Sequence, residues 1–224
     1  GKVNVKSLEW APDGQYVYFL GKFGKEKHTK LYRIPFTGGE RQAVMALKDT
    51  SISAYDISPD GKQVALLAMP AKEKSDKKLQ ELGFKAEVYE LGLKNKQLFI
   101  TDLEVSDKPL SLNAVAIDTY VSDMNWSHDT KSMLVKTQPT SLIDDSYTKS
   151  QWHVMDVASS KINLSIATEG KLNQAEFSHD SDYIAIIGAE DKHDPAAGRL
   201  FMVDTDNGKV VDWLPNFKGH VSDI

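Results

Sequence analysis

Trp10-Ala11-Pro12-Asp13-Gly14, Ile57-Ser58-Pro59-Asp60-Gly61, Trp126-Ser127-His128-Asp129 and Phe177-Ser178-His179-Asp180 are four versions of one phrase. An apolar or aromatic anchor leads into a small polar turn containing Asp, and a short apolar run follows: Tyr16 to Leu20, Gln63 to Ala68, Ser132 to Lys136 and Tyr183 to Gly188. Asp-Gly in the first two copies suits a tight hairpin, because Gly takes positive φ without a Cβ clash. Pro12 and Pro59 pre-set φ just before the Asp. The third and fourth copies carry Asp129-Thr130 and Asp180-Ser181, with His in place of Pro, and their turns are expected to be longer or less regular.

Working outward, each unit gains a further strand: Leu31-Tyr32-Arg33-Ile34, Leu98-Phe99-Ile100-Thr101, Trp152-His153-Val154-Met155 and Leu200-Phe201-Met202-Val203. Three of these run into an Asp (Asp102, Asp156, Asp204) and a polar turn, and a connecting strand then leaves, as in Lys209 to Leu214. Apolar alternation at period 2, bounded by turn residues, is the signature of strands. The anchors are spaced by 47, 69 and 51 residues. Units of about 40–50 residues with several short strands have the period of β-propeller blades. The fold class expected is therefore all-β: about four four-stranded antiparallel blades of a larger, seven- or eight-bladed propeller. The rival is a β-sandwich with accidentally similar hairpins.

The units fall at about 5–48, 51–113, 120–166 and 171–217, all within one partial propeller domain spanning 1–224. The second carries a Lys- and Glu-rich excursion from Met69 to Phe84, with Leu79 and Leu82 able to pack a helical turn or two, and returns through a strand from Ala86 to Leu91. Thr137 to Lys149 and Glu190 to Gly198 read as polar loops at one equivalent place, between the second and third strands of a blade. Loops at one place lie on one face of an array, often the functional one. The ending His220-Val221-Ser222-Asp223-Ile224 resembles Tyr120-Val121-Ser122-Asp123-Met124, so residues 218–224 read as the start of a further blade and the chain as part of a longer array.

The chain of 224 residues is 41% apolar and 26% charged, an ordinary globular composition. No run approaches the ~18 apolar residues of a membrane helix. The net charge of −5 argues against a nucleic-acid surface. The basic stretch Lys22 to Lys30, interrupted by Glu26, reads as a solvated hairpin tip. Without cysteine there is no disulfide, thiol nucleophile or Cys-ligated metal. That composition suits a bacterial periplasmic or cytoplasmic protein, with the periplasm favoured.

Chemistry-bearing patterns are sparse. The histidines His28, His128, His153, His179, His193 and His220 show no i, i+4 pair and no His-x-Glu arrangement. His128 and His179 hold the same place in two repeats; a metal needs several converging ligands, so both are read as surface turn residues. Asp144-Asp145 and Glu190-Asp191-Lys192-His193-Asp194 lack calcium-loop spacing and read as solvated loops. Gly21-Lys22-Phe23-Gly24-Lys25 is not a phosphate loop. Trp10, Trp126 and Phe177, one per repeat, are better explained by packing between blades than by ligand stacking. No catalytic, cofactor-binding or metal residue is assigned, and no cofactor is expected.

The Pro-Asp-Gly phrases, with Leu31-Tyr32-Arg33-Ile34-Pro35-Phe36-Thr37-Gly38-Gly39-Glu40, resemble the WD40-like repeats of TolB-type propellers. In the second unit, Gly83-Phe84-Lys85-Ala86-Glu87-Val88-Tyr89-Glu90 and Asn95-Lys96-Gln97-Leu98-Phe99-Ile100-Thr101-Asp102-Leu103 are similar to the N-terminal propeller of prolyl oligopeptidase-family serine peptidases, the acylaminoacyl- and dipeptidyl-peptidase-like members above all. That resemblance covers about one blade. It implies a propeller that restricts which peptides reach a Ser-Asp-His triad in a separate, C-terminal α/β-hydrolase domain. This chain has no Gly-x-Ser-x-Gly elbow, so no catalytic residue carries over and the chain alone is expected to be inactive. The partners implied are that hydrolase domain and peptide substrates, with no nucleic acid and no membrane. Bare blade faces and strand edges also invite self-association of the open arc. The alternative is a TolB-like scaffold for protein–protein interaction.

Overall fold

The computed structural model describes residues 4–71, 82–83, 92–194 and 196–224; most of the 69–84 excursion and the expected 86–91 strand lie outside these residues. The first unit forms β1 (Val5–Trp10), β2 (Tyr16–Gly21), β3 (Lys30–Pro35) and β4 (Gln42–Leu47). The second forms β5 (Ile52–Ile57), β6 (Gln63–Ala68), β7 (Gln97–Asp102) and the two-residue β8 (Pro109–Leu110). The third forms β9 (Tyr120–Trp126), β10 (Ser132–Gln138), a helix α1 (Ile143–Thr148), β11 (Gln151–Asp156) and β12 (Lys161–Ser165). The fourth forms β13 (Leu172–Phe177), β14 (Tyr183–Gly188), β15 (Arg199–Asp204) and β16 (Val210–Asp212). The first, third and fourth units are four-stranded antiparallel meanders, and β5 to β7 of the second make a three-stranded one. The result is an open arc of four propeller sheets.

Apolar alternation builds the cores. Along β6, Val64, Leu66 and Ala68 face the first sheet, while Ala65 and Leu67 face the third. Along β10, Met133 and Val135 face the second sheet and Leu134 the fourth. A strand with a sheet on either side is thus apolar on both faces along its middle, which is why Val64 to Ala68 reads as a continuous run. Three cores result, one per junction between successive sheets, and no single central core holds the molecule.

The anchors show which way each sheet leans. Ile57, Trp126 and Phe177 are buried in the junction with the preceding sheet. Trp10 begins the first sheet, with no preceding sheet among the described residues, and is 62% exposed. The expectation that Trp10 packs between blades is therefore corrected: the position is a wedge only where a sheet precedes it.

The turns correct a second expectation. All four have one length and one geometry. The N–H of Gly14, Gly61, Thr130 and Ser181 donates to the carbonyl of Ala11, Ser58, Ser127 and Ser178 at 2.8, 2.8, 3.0 and 2.9 Å. The corresponding φ values are 69°, 69°, 63° and 65°. Asp holds the shape: its Oδ1 accepts the N–H two residues on, from Gln15, Lys62, Lys131 and Asp182. In three copies the preceding Ser donates to the same oxygen and accepts the N–H that opens the next strand. This side-chain bracket imposes the left-handed conformation on Thr130 and Ser181 without a glycine. A β-branched residue there is strained by roughly 1–2 kcal/mol. Thr130→Gly is expected to raise the unfolding free energy by about 0.5–1 kcal/mol, the glycine's unfolded-state entropy offsetting part of the relief. A urea midpoint unchanged or lowered by that substitution counts against the strain.

The second sheet departs from four strands. After β7 the chain turns away, and β8 lies parallel to β4, pairing Pro109 with Ala46 and Leu110 with Leu47. Leu103, Leu110, Leu112 and Ala114 pack on the first junction core, so apolar burial draws this segment from its own sheet to the neighbour's edge. Pro109, lacking an N–H, suits an edge position. Residues 218–224 form no strand; Val221 N–H donates to the Gly198 carbonyl.

Candidate functional site: the inner wall

The first strands of successive sheets approach one another, β5 against β9 and β9 against β13, and among the described residues strands of different units are hydrogen-bonded only at β4 with β8. The first strands therefore form the inner wall of the arc. In all four, the ladder to the second strand shifts register near the strand's start, through the 7–8 pair, Ser53, Ser122 and the 173–174 pair. Such bulges add twist and re-aim side chains.

Each inner strand carries a polar residue just before the anchor, namely Glu9, Asp56, Asn125 and Glu176. These four pair with Tyr18, Ala65, Leu134 and Ala185 and are structurally equivalent. Two of them clasp the next sheet. Glu9 Oε1 accepts the Ile57 N–H at 3.3 Å. Asp56 Oδ2 accepts the Trp126 N–H at 2.7 Å, and the Trp126 indole N–H returns to the Asp56 carbonyl at 3.1 Å. The Tyr55 hydroxyl adds a bond to the Ser7 carbonyl at 2.7 Å. The third junction uses a cation: Lys136 Nζ donates to the Leu172 and Asn173 carbonyls at 2.7 and 3.3 Å, beside a Trp152 indole bond to Asn173.

The wall gathers negative charge. Burial, then the nearby Asp56, pushes the Glu9 carboxyl up from 4.5 to about 8. Burial raises Asp56 to about 6, opposed by the Trp126 N–H and reinforced by Asp123 and Glu176. Burial also raises Asp123, against the pull of Lys136 and Lys96. Desolvation lowers the Lys136 ammonium, which Asp123 partly restores. Burial disfavours the charged forms of these carboxyls, and neighbouring carboxylates add to it at Glu9 and Asp56.

The expected functional loops are more ordered than their composition suggests. The 137–149 stretch begins inside β10 and contains α1, so it is no simple polar loop. Asp145 is buried rather than solvated, bonding Thr140 Oγ1 at 2.6 Å and Lys149 Nζ at 2.8 Å, and these partners hold its carboxyl below the usual range. In the 190–198 loop, Asp191 and Asp194 accept the backbone N–H groups of His193, Asp194, Glu190 and Ala196. The Lys22–Lys30 tip is tied down: Glu26 bonds the Tyr32 hydroxyl and pairs with Lys30 at 2.8 Å, while Arg41 lies 3.9 Å over the Phe23 ring.

Of the six histidines, His153 is buried between Thr137 Oγ1 and Ser165 Oγ at 2.9 and 2.8 Å, and burial lowers its pKa. His128 and His179 are brought together, with ring centroids 5.1 Å apart. Among the described residues no three His, Cys, Asp or Glu side chains converge on a common point. The wall acids carried no recognisable chemical spacing; Glu9, Asp56 and Glu176 share only their place one position before the anchor, and Asp123 lacks even that.

No family model matches this sequence, and no curated protein sequence matches it. Solved structures do. TolB from Acinetobacter baumannii is similar with a TM-score of 0.58 and 17% identity, over 93% of this chain and 43% of that one. A putative TolB from Agrobacterium tumefaciens is similar with a TM-score of 0.58 and 17% identity, over 99% and 62%. The β-propeller domain of the Trilobed protease from Pyrococcus furiosus, described as having an open velcro topology, is similar with a TM-score of 0.56 and 13% identity, over 98% and 59%. Likeness at these identities establishes the propeller fold. The chain spans about two fifths to three fifths of each of those proteins.

Proposed function

We propose that this chain is the non-catalytic propeller region of a serine peptidase of the prolyl oligopeptidase family, acylaminoacyl- or dipeptidyl-peptidase-like, and that it gates peptide access to a separate α/β-hydrolase domain. The observation that carries this reading is the inner wall: successive first strands clasped side by side, lined with carboxylates, at the place where a propeller's central channel runs. Such a wall excludes folded proteins by size and acts on an extended peptide through its charge. Likeness to a protease's propeller domain supports the reading, as do the sequence phrases around Gln97 to Leu103. Further blades complete the channel in this proposal, and the hydrolase domain and the peptide substrate are the partners. The isolated arc is expected to show no turnover of aminoacyl or peptidyl chromogenic substrates; hydrolysis by pure protein that co-elutes with the chain contradicts the non-catalytic role. A Gly-x-Ser-x-Gly strand-turn-helix encoded downstream of Ile224 supports the peptidase, and an unrelated downstream domain counts against it.

A second reading is a TolB-like scaffold that binds partner proteins, favoured by the two TolB likenesses. In that case bare sheet faces, such as the one carrying Leu8 and Trp10, serve for association. Light scattering across protein concentration tests whether the arc pairs with itself; a monomer throughout removes self-association.

A further inference from the structure

The hairpins joining first to second strands stand side by side along one rim of the arc. Pro12 of the first turn lies 3.9 Å from where a Cβ on Gly61 of the second would sit. Positions 12, 59, 128 and 179 are equivalent, and the last two are histidine. Both imidazoles are exposed, and the side-chain bracket that shapes each turn leaves them out of its hydrogen bonds. Sequence neighbours 51 residues apart are thereby placed ring to ring, with centroids at 5.1 Å and planes tilted by 56°.

That spacing has a chemical meaning. An imidazole nitrogen binds zinc at ~2.0–2.1 Å, which puts the ring centroid ~3.2 Å from the ion; two such rings at a tetrahedral angle have centroids about 5.2 Å apart. We propose that His128 and His179 form a two-histidine site for a divalent first-row transition ion, with water completing the coordination. The flanking carboxylates stay outside the first shell: Asp129 Oδ1 and Asp180 Oδ1 hold Ser127 and Ser178 and the backbone beyond them. Asp180 nevertheless lies within electrostatic reach of His179, a placement that favours a cation at the imidazole. Imidazole ligands and open water positions select copper, nickel and zinc over magnesium and calcium. An ion there joins the third and fourth sheets at the rim and adds a constraint beside their apolar junction core and the Lys136 and Trp152 bonds. This site is independent of the peptidase reading, since it needs only the two turns described.

The test is calorimetric titration of the purified 224-residue chain with ZnCl2, NiCl2 and MgCl2 at pH 7.5, alongside the thermal midpoint with and without each metal. Saturable one-to-one uptake of zinc and nickel is expected, with no saturable uptake of magnesium and a raised thermal midpoint when zinc is bound. His128→Ala and His179→Ala each weaken zinc binding at least tenfold, and His193→Ala leaves it unchanged. The imidazole Cε1–H resonances of His128 and His179 shift together on titration with zinc. Absence of saturable zinc and nickel uptake overturns the site. So does uptake that survives both alanine substitutions in variants whose far-ultraviolet dichroism matches the parent.

Discussion

Trp126→Ala is expected to lower the unfolding free energy by about 4 kcal/mol, the range for truncating a fully packed aromatic side chain. Trp126 is only 4% exposed in the junction between the second and third sheets, and its indole N–H satisfies the Asp56 carbonyl. Alanine leaves both a cavity and a carbonyl without that partner. The same substitution at Trp10, the equivalent position of the first repeat, is expected to change stability by no more than ~0.5 kcal/mol, because 62% of that residue is in water. Urea midpoints at constant slope measure both. Equal losses at the two positions contradict the account of the anchor as a wedge against the preceding sheet.

The second large effect is a pH dependence centred on Glu9. Its carboxyl is raised from 4.5 to about 8 in the folded state, so the folded chain holds a proton there that the unfolded chain has released. Stability from this group is fully present below about pH 4.5 and is lost as pH rises through about 8. Asp56 acts in the same sense over a lower window, from 3.8 to about 6. The groups that face this pair are Tyr55, Asp123 and Glu176, with Lys96 and Lys136 nearest to Asp123. Glu9 is only half-buried, and solvent screens part of the effect. Glu9→Gln keeps an oxygen for the Ile57 N–H and removes the charge. At pH 9 the variant is expected to be more stable than the parent by roughly 2 kcal/mol, with little difference at pH 4.5. Parallel stability profiles for parent and variant from pH 4.5 to 9 contradict the wall's electrostatics.

The fold was legible because its evidence is local and repeated. The strands after each Asp turn begin at the residues the apolar runs indicate, since a buried pleat demands alternation and a turn demands Asp or Gly. What escaped was non-local. Thr130 and Ser181 adopt the geometry of Gly14 and Gly61 because Ser and Asp side chains impose it, so glycine's absence misled about turn regularity. The departure of β8 to the edge of the first sheet depends on the apolar groups of residues 103–114 finding the first junction core, which no local pattern encodes. Trp10 looked identical to Trp126 in sequence, but burial depends on a neighbouring sheet and not on the residue. The wall acids belong to the same class. Glu9 and Asp56 sit 47 residues apart and resemble ordinary surface carboxylates until the strands are placed side by side. His128 and His179 are equivalent in sequence, and equivalence becomes proximity only when successive hairpins share a rim.

The claim on which the rest depends is that successive inner strands adjoin and that the residue before one anchor grips the backbone of the next. A crystal structure of the 224-residue chain measures this most directly. It is predicted to show four separate sheets in an arc, with the Asp56 carboxylate on the Trp126 N–H and the Trp126 ring against the second sheet. Two sheets packed face to face, or Trp126 and Asp56 held apart in different parts of the molecule, would contradict it.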